Sequence, residues 1–264
     1  MNIAIITGAS SGMGKEFAMQ LATILVKTDE IWLLAKRREP LEELALELTR
    51  EIEIRNNTAD IHDDEHKIRK NHEIKIRTIS VDIADEKKLA HFAEVLMIRN
   101  PAISVLINCA GMGIYGAFDK LSRDEVTQTV RLNVLGLTQI TKYCLPYMRK
   151  GSRIIQMASA SAFCSQPDFA VYAASKSYVY SFSKALGKEL KKRGISVTVV
   201  CPGPVDTPFL SHAYGRYGKM NCLKKLTMSK PDKVVSKALV DSKKKRRVSI
   251  YGIPMKIVYL FTKF

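Results

Sequence analysis

Apolar residues in this chain come in short unbroken runs, separated by stretches of helical period. The runs read as strands at 2–6 (NIAII), 30–35 (EIWLLA), 74–81 (IKIRTISV), 103–107 (ISVLI), 152–158 (SRIIQMA), 195–201 (ISVTVVC) and 247–251 (RVSIY). Near-continuous apolarity is expected of strands covered on both faces, as in a parallel sheet. Between them, residues 13–27 place Phe17, Ala18, Leu21, Ala22 and Leu25 on one helical stripe. The same period predicts helices at 40–54, 85–98, 122–149, 172–192 and 230–241, with Ser229 and Asp232 as a capping box for the last. Strand–helix alternation along the chain predicts an α/β fold. The sheet is doubly wound and parallel, with about seven strands and helices on both faces, in a single domain over 1–264.

Three segments stand apart from that alternation. Residues 55–73 (RNNTADIHDDEHKIRKNHE) are highly charged and read as an inserted solvated helix or mobile excursion. His62 and His66 stand four apart there, but the glutamate is misplaced for a metallohydrolase motif, and no metal site is expected. Residues 205–229 carry Phe209, Leu210, Tyr214, Tyr217, Met220, Leu223, Leu226 and Met228 and read as a substrate lid. Residues 243–264 begin with five cations and continue as an apolar tail with spaced lysines. That tail could dock on an anionic membrane surface, pack over the lid, or contact a neighbouring subunit.

Composition narrows the function classes. The 264 residues carry 42 basic and 26 acidic side chains, a net charge of +16, which favours anionic partners. Nucleic acid is not expected, because the aromatic residues do not interleave with the basic run. No apolar run is long enough to span a bilayer, and with a glycine turn beginning already at Thr7 no signal peptide is expected. Five scattered cysteines without CxxC spacing suit a reduced, cytoplasmic protein.

Chemistry enters at residues 7–14, TGASSGMG, between the first strand and the first helix. Glycine lets backbone approach a phosphate, and a helix start offers unpaired N–H groups with a partial positive charge. Gly8, Ser10, Ser11, Gly12, Met13 and Gly14 therefore read as a pyrophosphate cradle. At the end of the second strand, where an NAD site places a carboxylate for the ribose 2′-OH, this chain has Lys36-Arg37-Arg38. Lys36 and Arg37 suit a 2′-phosphate, so NADP(H) is preferred over NAD(H). Further on, YAASK sets Tyr172 and Lys176 four apart, on one helix face. A nearby ammonium is expected to lower the pKa of the phenol, so that Tyr172 exchanges a proton with a carbonyl or alcohol oxygen. Ser159 ends a buried strand where it can bond that oxygen, and Ser161 competes for the role from two positions on.

TGASSGMG, NCAG at 108–111, Asn133 in RLNVLG, Ser159, YAASK and PGPVDT at 202–207 resemble, in order and spacing, the short-chain dehydrogenase/reductase family. The resemblance covers residue 3 to about 210. It implies a Rossmann-type sheet and an NAD(P)-dependent oxidoreductase acting on CH–OH groups. It implies Tyr172 as general acid/base and Lys176 on the nicotinamide ribose. Ser159 would orient the substrate, and Asn133 would hold a proton-relay water. Asp82, with Ile83, would lie beside the adenine; Asn108, Ala110 and Gly111 along the adenine ribose; and Pro202, Gly203, Val205 and Thr207 around the nicotinamide. Cys109 departs from the pattern, as do Gln156-Met157-Ala158 before Ser159. Ser11 stands where some NADP-dependent members carry a basic residue.

Aromatic and aliphatic residues around the lid, with Tyr115 and Phe118 as a second wall, suit a bulky lipophilic ketone or alcohol of steroid, bile-acid or fatty-acyl kind. Tyr115, Ser161, Phe209 and Tyr214 are the expected substrate contacts. A homodimer or homotetramer is expected from the resemblance. The competing reading is a catalytically silent NADP-binding sensor or scaffold, which would have no use for Asn133, Ser159, Tyr172 and Lys176 together.

Overall fold

The computed structural model describes residues 1–25, 28–58, 74–215, 218 and 227–262. Seven parallel strands form one sheet: β1 Asn2–Thr7, β2 Glu30–Ala35, β3 Lys75–Ser80, β4 Ala102–Asn108, β5 Met148–Met157, β6 Ser196–Val200 and β7 Val248–Ser249. Their order is β3-β2-β1-β4-β5-β6-β7. The side-chain alternation of β1 splits the core in two. Ala4 and Ile6 pack with Phe17, Leu21, Ile31 and Leu33, under α1 (Gly12–Ile24), α2 (Glu39–Thr58) and the helix Pro231–Lys243. Ile3 and Ile5 pack on the other face with Trp32, Leu34, Phe92 and Leu106, under α3 (Glu86–Arg99) and the helices that follow β4 and β5. Each fully buried isoleucine, leucine or phenylalanine among them contributes about 1.5–3 kcal/mol relative to exposure, and this double cover is why the strands read as unbroken apolar runs.

Several expected elements differ in detail. The helix expected at 122–149 is α4 (Arg123–Val130), a π turn at Arg131–Gly136, α5 (Leu137–Cys144) and a 3₁₀ turn at Leu145–Tyr147. Ser122 and Glu125 form a capping box at its start. Pro146, which has no N–H to donate, sits in the 3₁₀ turn, and β5 then begins at Met148, four residues earlier than expected. Helix α6 spans Ala170–Glu189, and a short α7 spans Pro208–Tyr214. The capping box expected at Ser229 and Asp232 does not form. Lys230 takes the cap position, with Pro231 opening α8 (Pro231–Lys243), while Ser229 bridges to Val205. The last expected strand shrinks to two residues, and the chain then forms α9 (Ile253–Phe261). Helix α2 runs to Thr58. The rest of the expected insertion, with its histidines, lies outside the described residues, as do Tyr217, Met220, Leu223 and Leu226 of the expected lid.

Gly136 closes the π turn where the chain passes over Ile83: a Cβ there would lie 2.5 Å from the Ile83 carbonyl oxygen. Gly136→Ala is expected to destabilise by about 1–3 kcal/mol through the forced shift, read as a fall of several degrees in Tm. An unchanged Tm would show that the contact relaxes freely.

Candidate active site

β1 and β4 are neighbours, while the chain leaves them toward opposite faces of the sheet. Such a switch point opens a crevice at the carboxyl ends of the strands. Here the crevice measures about 1170 Å³. Its floor is backbone against backbone. Gly8 has φ +68°, and a Cβ on it would lie 2.7 Å from the Ala110 backbone. A Cβ on Gly14 would lie 2.1 Å from the Gly8 carbonyl oxygen. The Thr7 hydroxyl accepts from the N–H groups of Cys109 and Ala110, both at 3.1 Å, and so joins the ends of β1 and β4. Ser11 is the N-cap of α1, but its side chain caps none of the first amides, and the first turn holds no acid. The start of α1 is therefore suited to an anion.

The end of the crevice beside β2 is cationic and solvated. Lys36 pairs with Asp82 at 2.9 Å, and Arg37 Nη2 stands 3.5 Å from the hydroxyls of both Ser10 and Ser11. Burial opposes ionisation of Asp82, yet Lys36 and the Ala84 N–H hold its carboxyl below the ordinary range. A cradle closed to side chains, a helix start and two cations fit the phosphates of a dinucleotide carrying a 2′-phosphate.

The opposite end is dry. Tyr172 and Lys176, on successive turns of α6, are 7% and 4% exposed. Lys176 Nζ donates to the Met157 carbonyl at 2.8 Å and lies 5.7 Å from the centre of the Tyr172 ring. The Tyr172 hydroxyl faces Ser159, whose hydroxyl acts to lower the phenol's pKa. Ser159 Oγ in turn accepts from the Ser161 N–H and donates to the Ser161 hydroxyl, both at 3.2 Å. Phe169 stacks on the Tyr172 ring, 4.3 Å between centres and 22° between planes. The expected acidification of Tyr172 is not found among the protein's own groups. Burial pushes the phenol up to about 12, against a smaller lowering by Ser159. Burial also brings Lys176 down to about 8, with Cys109 and Cys201 acting weakly the other way. Desolvation disfavours the charged form of each group and is the largest effect on both.

Most of the expected site residues line this crevice: the turn Gly8 to Gly14 without Ala9, Lys36, Arg37, Asp82, Ile83, Ala110, Gly111, Ser159, Ser161, Tyr172, Lys176, Pro202, Gly203, Val205, Thr207, Phe209 and Tyr214. Three lie behind it. Asn108 is buried and donates to the Thr141 hydroxyl at 2.8 Å. Asn133, fully buried on the π turn, bonds both backbone groups of Met112 and the Ser175 hydroxyl. A Cβ on Gly111 would lie 3.2 Å from both Asn133 Oδ1 and Lys176 Nζ, so the two polar groups converge on that glycine. Tyr115, expected to contact substrate, packs its ring on Tyr214 at 4.7 Å and on Phe169 at 5.9 Å, and its hydroxyl bonds Asp168. It supports the wall without facing the crevice. Residues that sequence reading missed include Phe169 and His212, and Pro254, Met255 and Val258 from α9; Leu210, expected in the lid, lines the crevice as well. The spacing of Ile253, Ile257, Leu260 and Phe261 was the available signal for α9.

A model of the short chain dehydrogenase family matches residues 65–216, more than half of the chain. An uncharacterized oxidoreductase, YusZ, of Bacillus subtilis (strain 168) is 30% identical over 217 residues, 81% of this chain and 69% of its own. A very-long-chain 3-oxoacyl-CoA reductase of Neurospora crassa is 33% identical over 210 residues, 77% of this chain but 56% of its own. A short-chain dehydrogenase from Sphingobium yanoikuyae, solved in complex with NADPH, shares the fold with a TM-score of 0.77 at 23% identity, covering 100% of this chain and 93% of that one. The matched segment and the closed glycine turn at the β1–β4 crevice lead to one conclusion: the chain belongs to the short-chain dehydrogenase/reductase family of oxidoreductases.

Proposed function

We propose that the chain interconverts a ketone and a secondary alcohol on a bulky lipophilic substrate, with NADP(H) preferred over NAD(H). The observation that carries this reading is the hydroxyl pair Ser159–Tyr172, set beside Lys176 in a crevice whose far walls are apolar. The cofactor, when bound, supplies or accepts the hydride at the carbonyl carbon. Gly8, Ser10, Ser11, Gly12, Met13 and Gly14 hold its pyrophosphate. Lys36 and Arg37 take the 2′-phosphate, and Asp82 with Ile83 borders the adenine. Ala110 and Gly111 follow the adenine ribose, and Pro202, Gly203, Val205 and Thr207 flank the nicotinamide. Asn108 braces this rim from beneath through Thr141.

Tyr172 gives its proton to the carbonyl oxygen, which Ser159 holds by a hydrogen bond. Lys176 stabilises the phenolate left behind. Asn133 fixes the Met112 loop and holds polar atoms toward Lys176, where a water could return the proton. Phe209, Tyr214 and Met255 favour an apolar substrate, and Ser161 supports Ser159. The very-long-chain 3-oxoacyl-CoA name of a 33%-identical relative supports a fatty-acyl carbonyl over a steroid or bile acid. Four thiols without disulfides among the described residues support a reduced, cytoplasmic setting. Membership of the family supports a homo-oligomer.

Three measurements test this reading. Tyr172→Phe keeps the ring on Phe169 and is expected to bind NADPH normally while losing about 10²–10⁴-fold in kcat; full turnover contradicts the role. Lys36→Asp with Arg37→Ala is expected to weaken NADPH by about tenfold or more while sparing NADH, read by fluorescence titration; equal loss of both removes the 2′-phosphate assignment. The third concerns pH. Burial lowers Lys176 to about 8, so its charge is present below that pH and lost above it. Ketone reduction is therefore expected to fall as pH rises through about 8. Lys176→Arg, slower but always charged, loses that alkaline limb; persistence of the limb in the Arg variant assigns it elsewhere.

A further inference from the structure

Helix α9 has two apolar faces with different neighbours. Pro254, Met255 and Val258 line the crevice, while the Tyr259 hydroxyl bonds Tyr180 at 3.2 Å and its ring packs on Phe163 at 4.8 Å. The helix is thus seated on the body of the protein by its inner side. Its outer side holds Ile253, Ile257, Leu260 and Phe261, exposed to 72%, 47%, 57% and 79%. At 100° per residue these four fall within one arc of about 100°, opposite Met255. Lys256 is exposed at the edge of that arc.

Charge identifies what covers this face. Residues 243–264 contain seven cations and no acid. Lys243 at the end of α8 and Lys244, Lys245, Arg246 and Arg247 in the turn that follows are exposed before β7, the edge strand, and α9 follows at its other end. Buried Asp241 anchors that turn by pairing with Arg246 at 3.0 Å and with Lys237. A basic turn and an apolar helix thus lie along one margin of the sheet. A symmetric contact between two copies across this margin would set two such cationic segments against each other. An anionic lipid surface satisfies both parts, taking the apolar side chains at the headgroup–acyl boundary and the cations at the phosphates. Nine helical residues reach about 14 Å, so the helix lies in the interface without crossing it.

We propose that α9 is an interfacial helix that holds this protein on an anionic membrane surface. Resting on the catalytic reading above, the same helix then forms the wall past which a lipophilic substrate enters from the bilayer. The test is co-sedimentation of the full chain with phosphatidylcholine vesicles, with and without phosphatidylserine, at low and high salt. Binding to the anionic vesicles alone, weakened by salt, is expected. Ile257→Glu with Phe261→Glu is expected to lower the bound fraction about tenfold, and the milder Lys256→Glu to lower it less. Neither touches the crevice, so NADPH affinity and turnover of a small water-soluble ketone are expected to be unchanged in both. Wild-type protein left in the supernatant overturns the proposal, as does equal sedimentation of the double variant. A double variant that instead halves the mass measured by light scattering assigns the face to a second copy and also overturns it. Vesicle binding by a protein that turns over no ketone would leave this proposal standing and the catalytic one fallen.

Discussion

The site depends on one close approach. Gly14, Gly8 and Ala110 bring three pieces of backbone into contact at the switch point, with no volume left for a side chain between them. The Thr7 hydroxyl completes the junction by tying β1 to the start of the loop after β4. This packing sets α1 with its amino end over the crevice and carries the 109–114 loop beneath it. The same loop is what Asn133 holds through Met112, from a π turn that interrupts the helix after β4. Such turns are costly to a regular helix and concentrate at functional sites. The two ends of the crevice are therefore registered to each other by close backbone packing and by two buried side chains, Thr7 and Asn133.

Desolvation then separates the crevice into two chemical environments. At the cationic end, Lys36 and Arg37 stay in water and act as charges. At the other end, Tyr172 and Lys176 are buried far enough that each is driven toward its neutral form, the phenol upward and the amine downward. An ammonium near the lower end of its range and a phenol near the upper end are sensitive to any further charge brought between them. The aromatic group Phe169, Tyr115 and Tyr214 keeps that end dry and the Tyr172 ring fixed.

Much of this was legible in the chain. Unbroken apolar runs located all seven strands because the sheet is covered on both sides. The glycine turn was legible because it meets a local backbone demand, and YAASK because four residues of helix set Tyr172 and Lys176 on one face. What escaped was long-range. The period of residues 122–149 is helical throughout, and nothing local signals that Gly136 passes against the Ile83 carbonyl or that the helix must open a π turn there. Tyr115 looked like a substrate contact because aromatic character does not say which side of a wall it occupies. Ser229 and Asp232 had the spacing of a cap, but Pro231 pre-set the helix start one residue later and Ser229 was taken by a bridge to Val205. The direction of the Tyr172 shift was misjudged because burial is a property of the whole fold.

The sheet's two outer strands are unlike its interior ones. β3 carries Lys75 and Arg77 along a half-exposed strand, and β7 offers only two paired residues before the chain turns away. A long, flat, apolar edge would accept a foreign strand and seed fibrous assembly. Charge on one rim and brevity on the other let a seven-stranded parallel sheet stay closed to further strands, even in a protein whose interior is built from the most β-prone residues.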